Sequence, residues 1–126
     1  MDAQSQFSTE KPGMVQAIAI MTLANGILNI FASLIWTILI VVGTIGIGLI
    51  CTPITLLPAV LGVFEILYGV NLMANPPKVT KPNQTIAILE IICIIFANVV
   101  SLVIGILALV FYNEDEVKAY FANLSQ

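Results

Sequence analysis

Histidine and arginine are both absent from this sequence of 126 residues, and only 9% of its residues are charged. An ordinary soluble domain is about 25% charged. Without histidine, the chain lacks the commonest general base and the commonest metal ligand. The four basic residues are the scattered lysines 11, 78, 81 and 118, which cannot form a polybasic groove for phosphates. We therefore expect no enzymatic activity, no cofactor or metal, and no nucleic-acid partner.

Apolar residues, by contrast, make up 60% of the chain. A domain of this size leaves a large fraction of its surface exposed, so it cannot bury that many apolar side chains. The excess must face lipid or other protein. Cys51 and Cys93 fall at different membrane depths in the topology predicted below, so we expect two free thiols rather than a disulfide.

The order of apolar and polar stretches predicts an all-α integral membrane bundle with three transmembrane helices. A polar N-terminal tail covers 1–13, and the transmembrane domain covers 14–112, with spans at about 14–42, 53–74 and 84–112. Each span exceeds or reaches the roughly 20 residues that a helix needs to cross a bilayer. Three glycines within residues 43–48 indicate the first turn, and three prolines within residues 75–82 indicate the second.

The C-terminal segment 113–126 has the pattern of a short interfacial helix. Asn113 is a suitable helix cap, and acidic residues follow it directly, where a helix N-terminus favours negative charge. One face at helical spacing is apolar and can lie on the membrane or on a partner. Its members are Val117, Tyr120, Phe121 and Leu124.

With three spans, Lys11, Lys78 and Lys81 fall on one side of the membrane and Lys118 on the other. The positive-inside rule then predicts a cytoplasmic N-terminus and an external C-terminus. We expect a multi-pass protein of the cell inner membrane.

Span two carries the pattern P-x-x-x-G-x-x-x-x-x-x-G, and the first span opens with Val-Gln-Ala-Ile at residues 15–18. The pattern consists of Pro58, Gly62 and Gly69, flanked by Phe64, Ile66 and Leu72. These two spans resemble the first hairpin of the membrane-spanning four-domain family that includes the B-lymphocyte antigen, and are also similar to many small uncharacterised prokaryotic multi-span proteins. The resemblance implies an oligomeric membrane protein without catalytic residues. That family has four spans, however, whereas residues 84–112 supply only one more.

Polar side chains inside the apolar spans are the candidate functional residues, because such groups are costly at membrane depth. They are Asn25 and Asn29 in span one, Glu65 in span two, and Glu90 and Asn98 in span three. The helical rise places Asn25, Glu65 and Glu90 in one broad layer. Three roles are open: hydrogen bonds between helices, a proton or cation pathway, or contacts with a lipid, pigment or partner subunit. In the first role, we expect protonated carboxyls to donate to the asparagines.

Small residues form two further faces that permit close helix packing. Gly62 and Gly69 share a face of span two, and Ala97, Ser101 and Gly105 share one of span three. We predict a structural or accessory membrane protein that assembles with itself or with other membrane subunits. The alternative is an oligomeric ion channel or proton-handling component that uses Glu65 and Glu90.

Overall fold

The computed structural model describes residues 11–96 and 98–125, apart from the side chains of Ile94 and Phe96. This part of the chain is helical and contains no strand. Its α-helices are α1 (Gly13–Gly43), α2 (Thr52–Thr55), α3 (Leu57–Met73), α4 (Gln84–Ile92), α5 (Val99–Tyr112) and α6 (Asp115–Leu124). Short 3-10 helices at Ile47–Cys51 and Cys93–Phe96 precede α2 and follow α4.

Helices α1 and α3 form the first hairpin, and the glycine-rich segment 43–48 reverses the chain between them. Gly46 has φ 89°, a left-handed conformation that glycine adopts without strain. The second span is interrupted at Leu56, which separates α2 from α3. Pro58 has no N–H to donate to the preceding turn, so a continuous helix through this point would lose a hydrogen bond. The interruption therefore lies directly before Pro58, at the start of α3.

Glycine permits very close contact between α1 and α3. A Cβ atom on Gly62 would lie 2.5 Å from the carbonyl oxygen of Gly26, and one on Gly26 would lie 2.6 Å from the carbonyl oxygen of Gly62. Gly69 approaches the carbonyl oxygen of Ala19 in the same way, at 2.9 Å. The predicted small-residue face of span two thus packs against the chain's own first helix.

Residues 84–112 do not form the single continuous helix predicted from their length and hydropathy. They form an antiparallel pair, α4 and α5, which reverses direction between Cys93 and Asn98. Gly105 of α5 lies directly against α4, since a Cβ there would be 2.5 Å from the carbonyl oxygen of Ala87. Asn98 caps α5 by accepting a hydrogen bond from the backbone N–H of Ser101. This cap starts a new helix where an uninterrupted span was expected.

The reversal brings both ends of the described chain to one end of the molecule, which we call the proximal end. Lys11 Nζ donates to the carbonyl oxygens of Leu72 and Ala74, and Ser125 Oγ donates to that of Thr80. An N-terminus and a C-terminus on opposite sides of the membrane, as predicted from three spans, do not fit this arrangement. We call residues 43–52, at the far end of the first hairpin, the distal turn.

Helix α6 packs against the proximal end. Val117, Tyr120 and Phe121 are buried and Leu124 contacts the same apolar cluster, so the predicted apolar face faces the protein. The ring of Phe121 meets that of Tyr112 edge-on, with centroids 6.2 Å apart. Asn113 does not cap α6: its Nδ2 donates to the carbonyl oxygen of Leu109 at the end of α5. Glu114 occupies the cap position instead.

Two helical segments of the described chain, Gly13–Gly43 and Ile47–Met73, are long and apolar enough to cross a bilayer. Many of their large apolar side chains are exposed, including Phe31, Trp36 and Phe64. Exposed apolar side chains over the full length of a helix are expected where the surrounding solvent is lipid.

Candidate functional site

The polar side chains of the spans meet in one buried cluster, which we call the polar network. Asn25 and Asn29 of α1 lie one turn apart on the same face and point toward Glu65 of α3 and Ser101 of α5. Glu90 of α4 completes the group. All five of these residues have no exposed surface. In an apolar environment such groups must find partners within the protein.

Glu65 accepts hydrogen bonds from both asparagines. Asn25 Nδ2 lies 3.0 Å from Oε1, and Asn29 Nδ2 lies 3.2 Å from Oε1 and 2.9 Å from Oε2. This reverses the roles expected from the sequence, in which the carboxyls donated and the asparagines accepted. Amide N–H donors at both oxygens are the environment that stabilises a carboxylate.

Ser101 and Asn98 attach the α4–α5 hairpin to α1. Asn25 Nδ2 donates to Ser101 Oγ at 2.9 Å, and Ser101 Oγ lies 3.0 Å from Oδ1 of both Asn25 and Asn29. At the tip of the hairpin, Asn98 Nδ2 donates to Asn29 Oδ1. Asn98 thus both caps α5 and bonds α1. Ser101, predicted only as a packing residue, is a central member of the polar network.

Glu90 differs from its neighbours because it is fully buried and neither of its carboxyl oxygens has a hydrogen-bond partner among the described residues. The Cβ atom of Glu90 lies against Gly105: a Cβ atom added to Gly105 would be 3.0 Å from it. The close contact between α4 and α5 therefore fixes the position of this side chain.

Hydroxyl groups continue the polar face of α1 toward the distal turn. Ser33 Oγ donates to the carbonyl oxygen of Thr55, and Thr37 Oγ1 lies 2.8 Å from Thr55 Oγ1. Thr37 also donates to the carbonyl oxygen of Ser33. Thr55 was not among the residues expected from the sequence. Its position shortly after the distal turn is the signal that could have paired it with Thr37.

Tyr68 and Tyr112 form a second polar contact at the proximal end. The hydroxyl of Tyr112 donates to that of Tyr68 at 3.0 Å, and the backbone N–H of Asn83 donates to the Tyr68 hydroxyl at 3.2 Å. These bonds hold the start of α4 and the end of α5 beside α3. Trp36, in contrast, is exposed on α1.

The predicted packing residue Ala97 lies outside the described residues. Cys51 is exposed and Cys93 is buried, and both are free thiols as expected. Over residues 11–96 and 98–125, no three side chains of the usual metal-ligating types are grouped to hold an ion.

Comparisons of this chain with protein-family models, with curated proteins and with solved structures find no match.

The polar network makes Ser101 a sensitive position. We expect Ser101→Ala to remove one acceptor for Asn25 and one donor to the asparagines, lowering the free energy of unfolding by about 0.6–1.7 kcal/mol. The measurement is loss of helical circular dichroism as denaturing detergent is added to protein in mild detergent. The control is Ser125→Ala, which removes an exposed hydroxyl and should change stability by less than about 0.5 kcal/mol. Equal effects of the two changes would contradict a stabilising role for the network.

Proposed function

We propose that this chain is a small structural or accessory integral membrane protein, without catalytic activity, that works by assembling through its helices. It assembles either with further copies of itself or as a minor subunit of a larger membrane complex. The observation that carries the proposal is the distal turn, which is apolar, exposed and free of charged residues.

The first hairpin is long enough to carry the distal turn to the opposite surface of a bilayer. Helix α1 has 31 residues and is roughly 46 Å long at a rise of about 1.5 Å per residue. A bilayer's hydrocarbon core is about 30 Å thick, so a helix of this length must tilt strongly or extend beyond it. The distal turn then reaches the opposite membrane surface, where apolar side chains are unfavourable unless another protein covers them.

The side chains of the distal turn fit such a contact. Ile45 is 94% exposed and Ile50 is 82% exposed, and Ile47 and Leu49 are exposed beside them. Residues 44–52 include no charged side chain. The polar network, by comparison, is satisfied by the chain's own helices except at Glu90. Assembly is therefore expected at the distal turn and along the apolar helix faces, rather than through the buried polar groups.

We further propose that α1 and the segment from Ile47 to Met73 cross the membrane, while α4 and α5 enter it as a hairpin from the proximal side. The hairpin raises the number of membrane-embedded helices to four, as in the family that the first two spans resemble. All four lysines then lie at or near the proximal end, on residues 11, 78, 81 and 118. The positive-inside rule assigns that end, with both termini, to the cytoplasm.

The native cysteines allow this orientation to be tested. Cys51 lies exposed in the distal turn of the single chain, and in the variant Ile45→Asn, in which we expect this turn to be uncovered, it should react with an impermeant thiol reagent in intact cells. A cysteine at position 125, in a chain whose Cys51 and Cys93 are replaced by serine, should react only after the membrane is opened. Labelling of position 125 in intact cells would overturn the proposed orientation.

A proton- or ion-conducting role is the second candidate, and the hydroxyls of Ser33, Thr37 and Thr55 favour it. They extend the polar face of α1 beyond the network, in the half of the bundle where the sequence offered few polar groups. Proton flux into liposomes that contain the purified protein tests this role. Flux above that of empty liposomes would favour conduction over a purely structural function.

Assembly through the distal turn is tested at Ile45. This residue has φ 53°, which is unfavourable for a β-branched side chain, whereas asparagine adopts such angles readily. We expect Ile45→Asn to keep the monomer folded but to shift the intact particle, isolated from membranes in mild detergent, toward the mass of one chain. Ile45→Met keeps an apolar side chain there and should retain the larger mass. A single-chain mass for the unaltered protein would contradict the proposed function.

A further inference from the structure

Glu65 and Glu90 lie together at the centre of the bundle, on α3 and α4, and neither has exposed surface. Their carboxyl groups are neighbours, and Asn25 lies beside both of them. Carboxylate oxygens only accept hydrogen bonds, so two ionised groups could not bond to each other. Neither oxygen of Glu90 has a hydrogen-bond donor among the described residues.

Two adjacent carboxylates cannot both remain charged in a water-free environment, because each charge raises the energy of the other and neither is solvated. None of the described lysines compensates them. Lys11 bonds backbone carbonyls at the end of α3, and the other three lie between α3 and α4 or on α6. The pair therefore needs either a proton or a bound cation.

The surrounding oxygens favour the proton. A hard metal ion takes about six or more oxygen ligands. Here the asparagines turn their N–H groups toward Glu65, and their carbonyl oxygens already accept from Ser101 and Asn98. Only the carboxyl groups themselves remain for a metal ion. A shared proton needs only one oxygen from each of the two carboxyl groups.

We propose that Glu65 and Glu90 form a proton-binding site that holds one proton, carried by Glu90 and donated to Glu65. The asparagines donate to both oxygens of Glu65 and stabilise its charged form. Asn25 also lies beside Glu90 but directs its two N–H groups to Glu65 and Ser101, so Glu90 is stable as the neutral acid. The shared proton joins α4 to α3, so it fastens the hairpin to the first two spans. This inference concerns the interior of one chain and does not depend on how the protein assembles.

The proton count distinguishes this proposal from its alternatives. Infrared spectroscopy of the purified protein at neutral pH shows protonated carboxylic acids through a carbonyl band separate from that of carboxylates. The double variant Glu65→Gln/Glu90→Gln supplies the baseline for the remaining acidic residues. We expect one protonated acid per chain above this baseline in the unaltered protein.

The single variants assign the proton. Glu90→Gln should abolish the band, because the introduced amide donates to an ionised Glu65. Glu65→Gln should keep the band at shifted frequency, because Glu90 stays neutral without a carboxylate partner. Two protonated acids per chain, each lost in one variant, would overturn the proposal in favour of two neutral hydrogen-bond donors. No band in the unaltered protein would overturn it in favour of a bound cation.

A second measurement removes the proton from the unaltered protein by raising the pH, and uses Glu90→Gln only as a control. The titratable side chains near Glu90 are Glu65, Cys93 and Tyr112, while α1 contributes only uncharged asparagines. We expect the buried Cys93 to become several-fold more reactive toward a membrane-permeant thiol reagent, relative to the exposed Cys51. In Glu90→Gln this ratio should rise less, because only ionisation of the Cys93 thiol itself then contributes. A parallel rise in both proteins would show that the proton does not fasten the hairpin.

Discussion

The contact between the asparagines of α1 and the carboxyl group of Glu65 is the constraint on which the rest of this structure depends. These groups have no exposed surface, so each must meet a partner within the protein. Asn25 and Asn29 are one helical turn apart, and together they supply donors to both oxygens of Glu65. This requirement fixes the register of α1 against α3. The close contact of Gly26 and Gly62 lies in the same part of the interface.

The same asparagines determine where the hairpin lies. Their carbonyl oxygens do not bond Glu65. They accept hydrogen bonds from Ser101 and Asn98 instead. The tip of the α4–α5 hairpin is thereby held about halfway along α1. Below it, Tyr68 and Tyr112 join the hairpin to α3, and α6 closes the apolar cluster at the proximal end. Beyond Asn29, the polar side chains Ser33 and Thr37 of α1 bond Thr55 of the second span.

Much of this arrangement could be predicted from the sequence, because it depends on local patterns. The glycine-rich turn at 43–48, the proline-rich loop and the apolar face of α6 each follow from residues close together in the chain. The layer that contains Asn25, Glu65 and Glu90 followed from the helical rise alone. Hydropathy could not show that residues 84–112 reverse direction, because both a hairpin and a span are uniformly apolar. No proline or glycine marks the reversal, and Asn98 is its only polar signal.

The roles of the polar groups were less predictable than their positions. An asparagine side chain both donates and accepts, so its direction depends on every neighbour at once. The sequence did not place Ser101 beside Asn25 and Asn29, where its hydroxyl lies against their carbonyl oxygens while their amide N–H groups reach Glu65. The position of Glu90, whose oxygens have no donor among the described residues, likewise depends on the packing of Gly105 against α4. These features depend on contacts among three or four helices, so the pattern of residues within one helix cannot predict them.

The central claim is that residues 84–112 form a hairpin anchored by the polar network, and one distance tests it directly. Spin labels at positions 85 and 113, in a chain with Cys51 and Cys93 replaced, can be measured by pulsed electron resonance in lipid. Both positions are exposed, and the contact of Tyr112 with Tyr68 near Asn83 places them at the same end. The hairpin predicts a separation below about 20 Å, whereas a continuous helix of 28 intervals would give roughly 42 Å. The longer distance would contradict the account.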